Sequence, residues 1–133
     1  MNQTLAIIKP DAMKKDNMNN IKEDIIDNGF SILKEKTLLL TDKQACSFYD
    51  IHKEKPFFDE LVEFMTSYEC HVMILEKENA VEEWRKLMGA TDSQKAGIGT
   101  IRNKYGTDVS MNATHGSDSN ENAIQEINFF FND

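Results

Sequence analysis

The sequence predicts an α/β (α+β) sandwich of the split βαβ type, and three observations carry that reading. Apolar runs at residues 4–9, 30–40 and 70–75 have the length and composition of strands. The stretches between and after them repeat their apolar residues at helical spacing. Capping and stop signals bracket most of those helical stretches. The order is strand, helix, strand, helices, strand, helix, strand, helix.

"TLAIIK" (4–9) is almost continuously apolar, the pattern of a strand buried on both faces. Pro10 follows and ends strand pairing, because it has no N–H to donate. Ile21 and Ile25 share a helical face, and Gly29 is a natural helix stop. "FSILKEKTLLL" (30–40) reads as a partly exposed strand with a charged middle. Thr41 and Gln44 form a capping box for a helix carrying Ala45, Phe48 and Tyr49. Pro56 interrupts that pattern, and Phe58, Leu61, Val62 and Met65 restart it as an i, i+3, i+4, i+7 stripe. "CHVMIL" (70–75) reads as a third, buried strand. Asn79 with Glu82 signals the next helix start; Val81, Trp84 and Met88 form its apolar face, and Gly89 ends it.

Residues 90–110 hold three glycines, mixed charge and a short apolar signal at Ile98 and Ile101. Loops of that length in a compact domain are often functional. "VSMNAT" (109–114) is expected to form a short last strand. Asp118 with Glu121 is expected to cap a final helix bearing Ala123, Ile127 and Phe131. No repeat, linker or low-complexity tail breaks the chain, so residues 1–133 read as one domain.

Composition narrows the function. The chain has 133 residues, 40% hydrophobic and 29% charged, ordinary for a soluble globular protein with a real core. Its formal net charge of -8 repels polyanions, so neither nucleic acid nor anionic membrane is the expected partner, although a local basic pocket is compatible with it. Cys46 and Cys70 make no disulfide framework and lack a close set of Cys or His partners for a metal. No apolar run approaches the roughly 18 residues of a membrane span, and the N-terminus lacks the flank of a signal peptide. The expected compartment is the cytoplasm, where the sequons at Asn2 and Asn112 are chance matches.

One stretch carries chemistry. In "MNATHGSDSNENAIQEI" (111–127) His115 precedes Gly116, Ser117, Asp118 and an expected helix start near Ser119. A helix N-terminus favours negative charge, and glycine lets a bulky group approach the backbone. Glu126, on the second turn, is within reach of Ser117 or His115, where a carboxylate fixes which ring nitrogen keeps its proton and leaves the other free to attack. The same spacing also fits a turn histidine, two capping residues and a solvated glutamate. His52 and His71 read as structural.

"NATHGSDS" resembles the active-site signature of nucleoside diphosphate kinases. The resemblance runs along the chain: "AIIKPDA" is similar to the family's first strand and its Lys-Pro-Asp, "FY" and "KPFFDELVEFM" to its nucleotide-gripping helices, "RKLMGATD" and "GTIR" to the two ends of its long loop. It implies a ferredoxin-like βαββαβ sandwich with a four-stranded antiparallel sheet, in agreement with the order read from the elements. It further implies that His115 takes the γ-phosphoryl group from a nucleoside triphosphate and passes it to a diphosphate, oriented by Glu126 and Ser117. Lys9, Arg85, Thr91 and Arg102 would hold the phosphates, and Asn112 the sugar and phosphate end. Tyr49 would support the site near Lys9. Phe57 would stack on the base, with Leu61 and Val109 completing the slot. Mg2+ would ride on the nucleotide rather than on protein ligands. ATP, GTP, ADP and GDP are the implied partners, in a homo-oligomer, hexamer or tetramer. Taken singly, Lys9 and Arg85 also read as ordinary surface charges, and Phe57 and Tyr49 as core.

The chain departs from the family pattern at a few places. Ser93 and Ile98 stand where prolines are common, which raises the loop's unfolded-state entropy. Asn103-Lys104 replaces the usual Gly-Asp after Arg102, and Trp84 replaces a small residue beside Arg85, with an expected effect on that arginine's angle. The chain stops soon after its last helix, where many relatives continue into a tail that contacts neighbouring subunits. A phosphohistidine mutase is a poor fit, because Thr114 stands where its arginine would precede His-Gly. An RNA-binding module lacks both the charge and the aromatic strand it needs. A non-catalytic, regulatory nucleotide-binding relative would require a lost nucleophile or phosphate clamp, and each matched position is present.

Overall fold

The structure, a computed structural model, describes residues 2–132. Four antiparallel strands, β1 (Asn2–Ile8), β2 (Ser31–Leu38), β3 (Cys70–Lys77) and β4 (Thr114–Gly116), lie in the order β2-β3-β1-β4. The helices are α1 (Pro10–Lys14), α2 (Met18–Asp27), α3 (Asp42–Phe48), α4 (Phe58–Met65), α5 (Ala80–Met88), α6 (Ile101–Tyr105) and α7 (Asn120–Phe130).

The apolar runs took the central places. β1 and β3 pair along their whole length, Asn2 opposite Lys77 through Ile8 opposite His71, and helices cover both faces. On one face Ala6, Ile8, Met73 and Leu75 pack against Ile21 and Ile25 of α2 and Trp84 and Met88 of α5. On the other, Leu5, Ile7 and Val72 meet Ala45, Tyr49, Met65 and Phe130. Burying each large aliphatic side chain contributes about 1.5–3 kcal/mol, so β1 is a firm base for what is built at its C-terminal end. The charged middle of the second run agrees with β2 as an exposed sheet edge.

Local signals held where the chemistry was local. Thr41 and Gln44 make both bonds of the capping box, at 3.1 and 2.9 Å. Pro10 does more than end β1: it takes the first position of α1, where a missing N–H costs nothing. Two expected caps differ. Asn79 lies in the left-handed region at φ 54° and makes no side-chain cap bond. At α7 the cap is Ser119, whose hydroxyl accepts from the N–H of Asn122 at 3.0 Å; Asp118 lies one residue too early.

The last strand is also shorter and later than expected. Residues 109–113 are irregular, and β4 pairs with β1 only from Thr114. Ala113 stands at φ 73°, held by a bond from its N–H to Asp11 Oδ2 (3.1 Å) and by Lys9 N–H donating to its carbonyl (2.8 Å). That kink keeps residues 109–113 out of the sheet. Within residues 90–110, Ile98 is 99% exposed whereas Ile101 is buried, so only one of the two marked a core contact.

Candidate active site

The sheet order sets β4 beside β1, so His115 comes opposite Ile7 and the end of β1 delivers Lys9 to the same corner. A cleft of about 460 Å³ opens there, lined by Lys9, Tyr49, Phe57, Leu61, Thr91, Arg102, Val109, Asn112, His115 and Glu126 among others. Ten of the twelve residues expected from the sequence therefore face one space. Ser117 and Arg85 are not among its lining residues: Ser117 is buried behind Glu126, and Arg85 stands at the rim, 3.4 Å from the Asp118 carboxylate.

The histidine is held from behind. Its Nε2 is 3.0 Å from Glu126 Oε1, which also accepts from the Ser117 hydroxyl at 2.8 Å. Ser117 Oγ in turn accepts from the backbone N–H of Leu5 at 3.3 Å. A chain of hydrogen bonds thus runs from the core of β1 to the imidazole. A carboxylate on Nε2 holds the proton there and leaves the lone pair on Nδ1. Phe48 packs edge-on to the ring at 5.5 Å, and Tyr49 at 6.5 Å. Burial pushes the Tyr49 phenol well above its usual range, so the group stays a neutral hydroxyl.

Opposite the histidine, cations collect in an acidic chain. Lys9 is buried, donates to Asn112 Oδ1 at 2.8 Å, and is pushed down to about 8 by burial first and then by Arg102. Arg102, donating to the carbonyls of Gly89 (3.1 Å) and Thr114 (2.9 Å), is lowered to about 10 by burial and by Arg85. Its Nε is buried with no hydrogen-bond partner among the described residues. Cations that are partly desolvated and close to one another make a site that an anion relieves. Gly89 takes part sterically: it has φ 87°, and a Cβ there would lie 2.5 Å from Thr100 Oγ1.

Asn112 is the joint of the cleft. Its Nδ2 donates to the carbonyls of Thr91 (3.0 Å) and Val109 (3.2 Å) while Oδ1 accepts from Lys9. An amide so engaged and 2% exposed holds three parts of the wall together before any contact with a sugar. Beyond it a second, more apolar cavity of about 530 Å³ shares Lys9, Phe57, Leu61, Thr91 and Val109 with the cleft and adds Phe64 and Met111. Phe57 is 46% exposed at this mouth, which excludes the core reading of that residue.

The family model for nucleoside diphosphate kinase matches residues 2–133. The chain belongs to the nucleoside diphosphate kinase family. It is an enzyme of the kinase type, and nucleoside diphosphate kinase relatives match nearly all of it. That of Wolbachia pipientis wMel is 54% identical over 129 residues, which are 97% of this chain and 93% of that protein. The crystal structure of the Aquifex aeolicus nucleoside diphosphate kinase has a TM-score of 0.95 at 44% identity, covering 98% of this chain and 94% of that one. A Halobacterium salinarum nucleoside diphosphate kinase in complex with CDP has a TM-score of 0.95 at 36% identity, covering 99% and 88%.

Where this chain departs from the family pattern, most of the replacements have structural work, and nothing in the structure explains the exposed Ile98. Ser93 donates to the Asp108 carbonyl at 3.1 Å, Asn103 to that of Ala96 at 3.3 Å, and Lys104 pairs with Asp24 at 2.6 Å. These bonds tie down the loop that lacks prolines. Trp84 turns inward, away from Arg85, whose direction is set by Asp118. Asn122, Gln125 and Phe129, which line the cleft from α7, had no separate signal in the sequence; Phe48, read as part of a helix face and of "FY", lines it from α3. His52, read as structural, also lines it, its ring 5.6 Å from that of Phe57. His71 is structural, bonded to Thr37 (2.7 Å) and Glu35 (2.8 Å).

Proposed function

We propose that this chain moves the γ-phosphoryl group of a nucleoside triphosphate to a nucleoside diphosphate in two steps through a phosphohistidine at His115. The observation that carries the proposal is the bond from Nε2 to Glu126, which leaves Nδ1 as the nucleophile. In the first step the Nδ1 lone pair attacks the γ-phosphorus, the bond to the bridging oxygen breaks, and the diphosphate leaves with that electron pair. In the second, the terminal oxygen of an acceptor diphosphate takes the group and the imidazole is restored. The proton stays on Nε2, donated to the Glu126 carboxylate, throughout.

The transition state carries its charge on peripheral oxygens, so positioning and electrostatics do most of the catalysis. Lys9, Arg85, Thr91 and Arg102 are the proposed phosphate contacts, and Asn112 keeps them in register beneath the sugar. Phe57 stacks on the base, with Leu61 and Val109 around it. A slot that reads a π-face accepts purines and pyrimidines alike, so ATP, GTP, ADP and GDP all serve. Among the described residues no group of three His, Cys, Asp or Glu could hold a metal ion, and Glu126 and Asp11 are already engaged. That donor set fits a Mg2+ that would be carried by the phosphates of the substrate and would neutralise part of their charge.

We also place the protein in the cytoplasm as a homo-oligomer; Cys46 and Cys70 are both free thiols, and no described helix is long and apolar enough to cross a membrane. Leu33 on the β2 edge, Leu39 just past it and Ile26 on α2 are 45–58% exposed, large apolar side chains of the kind that subunit contacts cover. Sedimentation showing only monomer at micromolar concentration would refute the oligomer.

Incubation with γ-labelled ATP should give an acid-labile phosphoenzyme, and GDP should then collect the label as GTP. Absence of label, or label that survives acid, removes the mechanism. His115→Ala should lose both steps and keep its fold.

A further inference from the structure

We infer that Trp84 is a positioning residue for His115, acting through the histidine's own carbonyl. The inference rests on the reading of His115 as the nucleophile. Trp84 is fully buried in α5, and its Nε1–H donates to His115 O at 3.2 Å. It is not among the residues lining the cleft, so it reaches the reaction through the residues it touches, and its one polar contact with them is that bond.

The strand it holds is tied on either side of the histidine, at Ala113 by Asp11 and Lys9 and at Ser117 by Leu5, and the indole takes the carbonyl of the histidine itself. β4 is three residues long and lies at the sheet edge, paired with β1 on one side. On two of its three residues, side chains brace the backbone: Arg102 donates to Thr114 O at 2.9 Å, and Trp84 to His115 O. The indole is itself fixed, edge-on to Phe30 with centroids 6.0 Å apart and planes at 83°.

Gly116 shows that the approach is close by construction. A Cβ on it would lie 2.5 Å from Trp84 Cδ1, 2.7 Å from Nε1 and 2.6 Å from Met88 Cε. Gly116 is not among the positive-φ glycines, so the demand here is for space rather than for an unusual backbone. The glycine after the histidine lets a helix indole reach the histidine's carbonyl. Glu126 fixes the ring from its far nitrogen and Trp84 fixes the backbone that carries it. Together they set where Nδ1 stands.

The chain has one tryptophan, so its replacement throughout by benzothienylalanine, which keeps the bicyclic shape and puts sulfur in place of the N–H, changes only this residue. The expected result is a melting temperature lower by a few degrees at most, for one lost hydrogen bond, an unchanged nucleotide KM, and kcat and the rate of phosphoenzyme formation reduced about tenfold, since a misplacement of about 1 Å can already cost a hundredfold. Trp84→Phe, which also lacks the donor, should show the same kcat loss with some loss of stability, and serves alone if the isostere does not fold. Equal single-turnover rates for the isostere and the wild type, with label present in both, would overturn the inference while leaving the phosphohistidine mechanism standing. A rise in KM that matches the loss in rate would also overturn it, as general distortion of the site. A wild-type chain that takes no label would overturn the mechanism, and this inference with it.

Discussion

Nε2 of His115 and Oε1 of Glu126 stand 3.0 Å apart, brought together from β4 and the second turn of α7. The same carboxylate oxygen takes the Ser117 hydroxyl at 2.8 Å, so a single acceptor orients both groups.

Removing that acceptor should lower the rate without weakening nucleotide binding. Glu126→Ala is expected to reduce kcat about a hundredfold, within the range for loss of a positioned proton-holding group. Ser117→Ala should cost about tenfold, because it acts through Glu126. The double variant should be close to Glu126→Ala alone, since residues in one network are not additive. Single-turnover labelling measures all three; additive losses would show that Ser117 acts by another route.

Lys9 gives a pH dependence with a definite sign. Burial and Arg102 hold its folded value at about 8, below the ordinary 10.5. Below pH 8 both folded and unfolded chains keep this proton, and the folded state bears the full cost of a buried cation. Between 8 and 10.5 the unfolded chain binds more protons, so this group makes stability rise with pH. Denaturant melts of wild type and Lys9→Met should converge over that window, with the variant more stable at pH 7 by up to about 3 kcal/mol, less whatever the orphaned Asn112 amide takes back.

The same residue should couple binding to protons. Phosphate beside Lys9 favours its cation, so ATP binding near pH 8.5 should take up protons. Calorimetry in two buffers of different ionisation enthalpy reads this directly. Uptake should vanish in Lys9→Met; uptake that persists would assign the proton to another group.

Phe57 should act on affinity and be neutral to base identity. Phe57→Ala is expected to raise KM about tenfold for purine and pyrimidine nucleotides alike, as one lost stacking contact of 1–3 kcal/mol requires. With the ring 46% exposed, the melting temperature should move little. A loss confined to one base in parallel turnover assays would contradict the stacking slot.

Asn112 should be costly to remove. Asn112→Leu leaves the Lys9 ammonium and the carbonyls of Thr91 and Val109 without their present partner, at about 1–3 kcal/mol for each one that water cannot reach. Thermal denaturation should show a drop of several degrees, and hydrogen exchange should be faster at Thr91 and Val109 than in β1.

The sequence alone was enough for what depends on neighbours in the chain. The apolar runs became β1 and β3, the Thr41–Gln44 box formed, and Gly29 and Gly89 end their helices at φ 88° and 87°. The ordered motifs around "KPDA" and "HGSD" were also legible, and with them the family. The local reading missed two features: Ala113, bonded to Asp11, left the strand that begins only at Thr114, and Ser119 rather than Asp118 took the cap of α7. The site required the tertiary structure, because its bonds join residues far apart in the chain. Lys9 and Asn112 are separated by 103 positions, and Leu5 and Ser117 by 112. No local pattern states that an indole from α5 reaches the carbonyl of a histidine on β4. That contact exists only because the sheet order puts β4 beside β1 and a glycine leaves room for the ring.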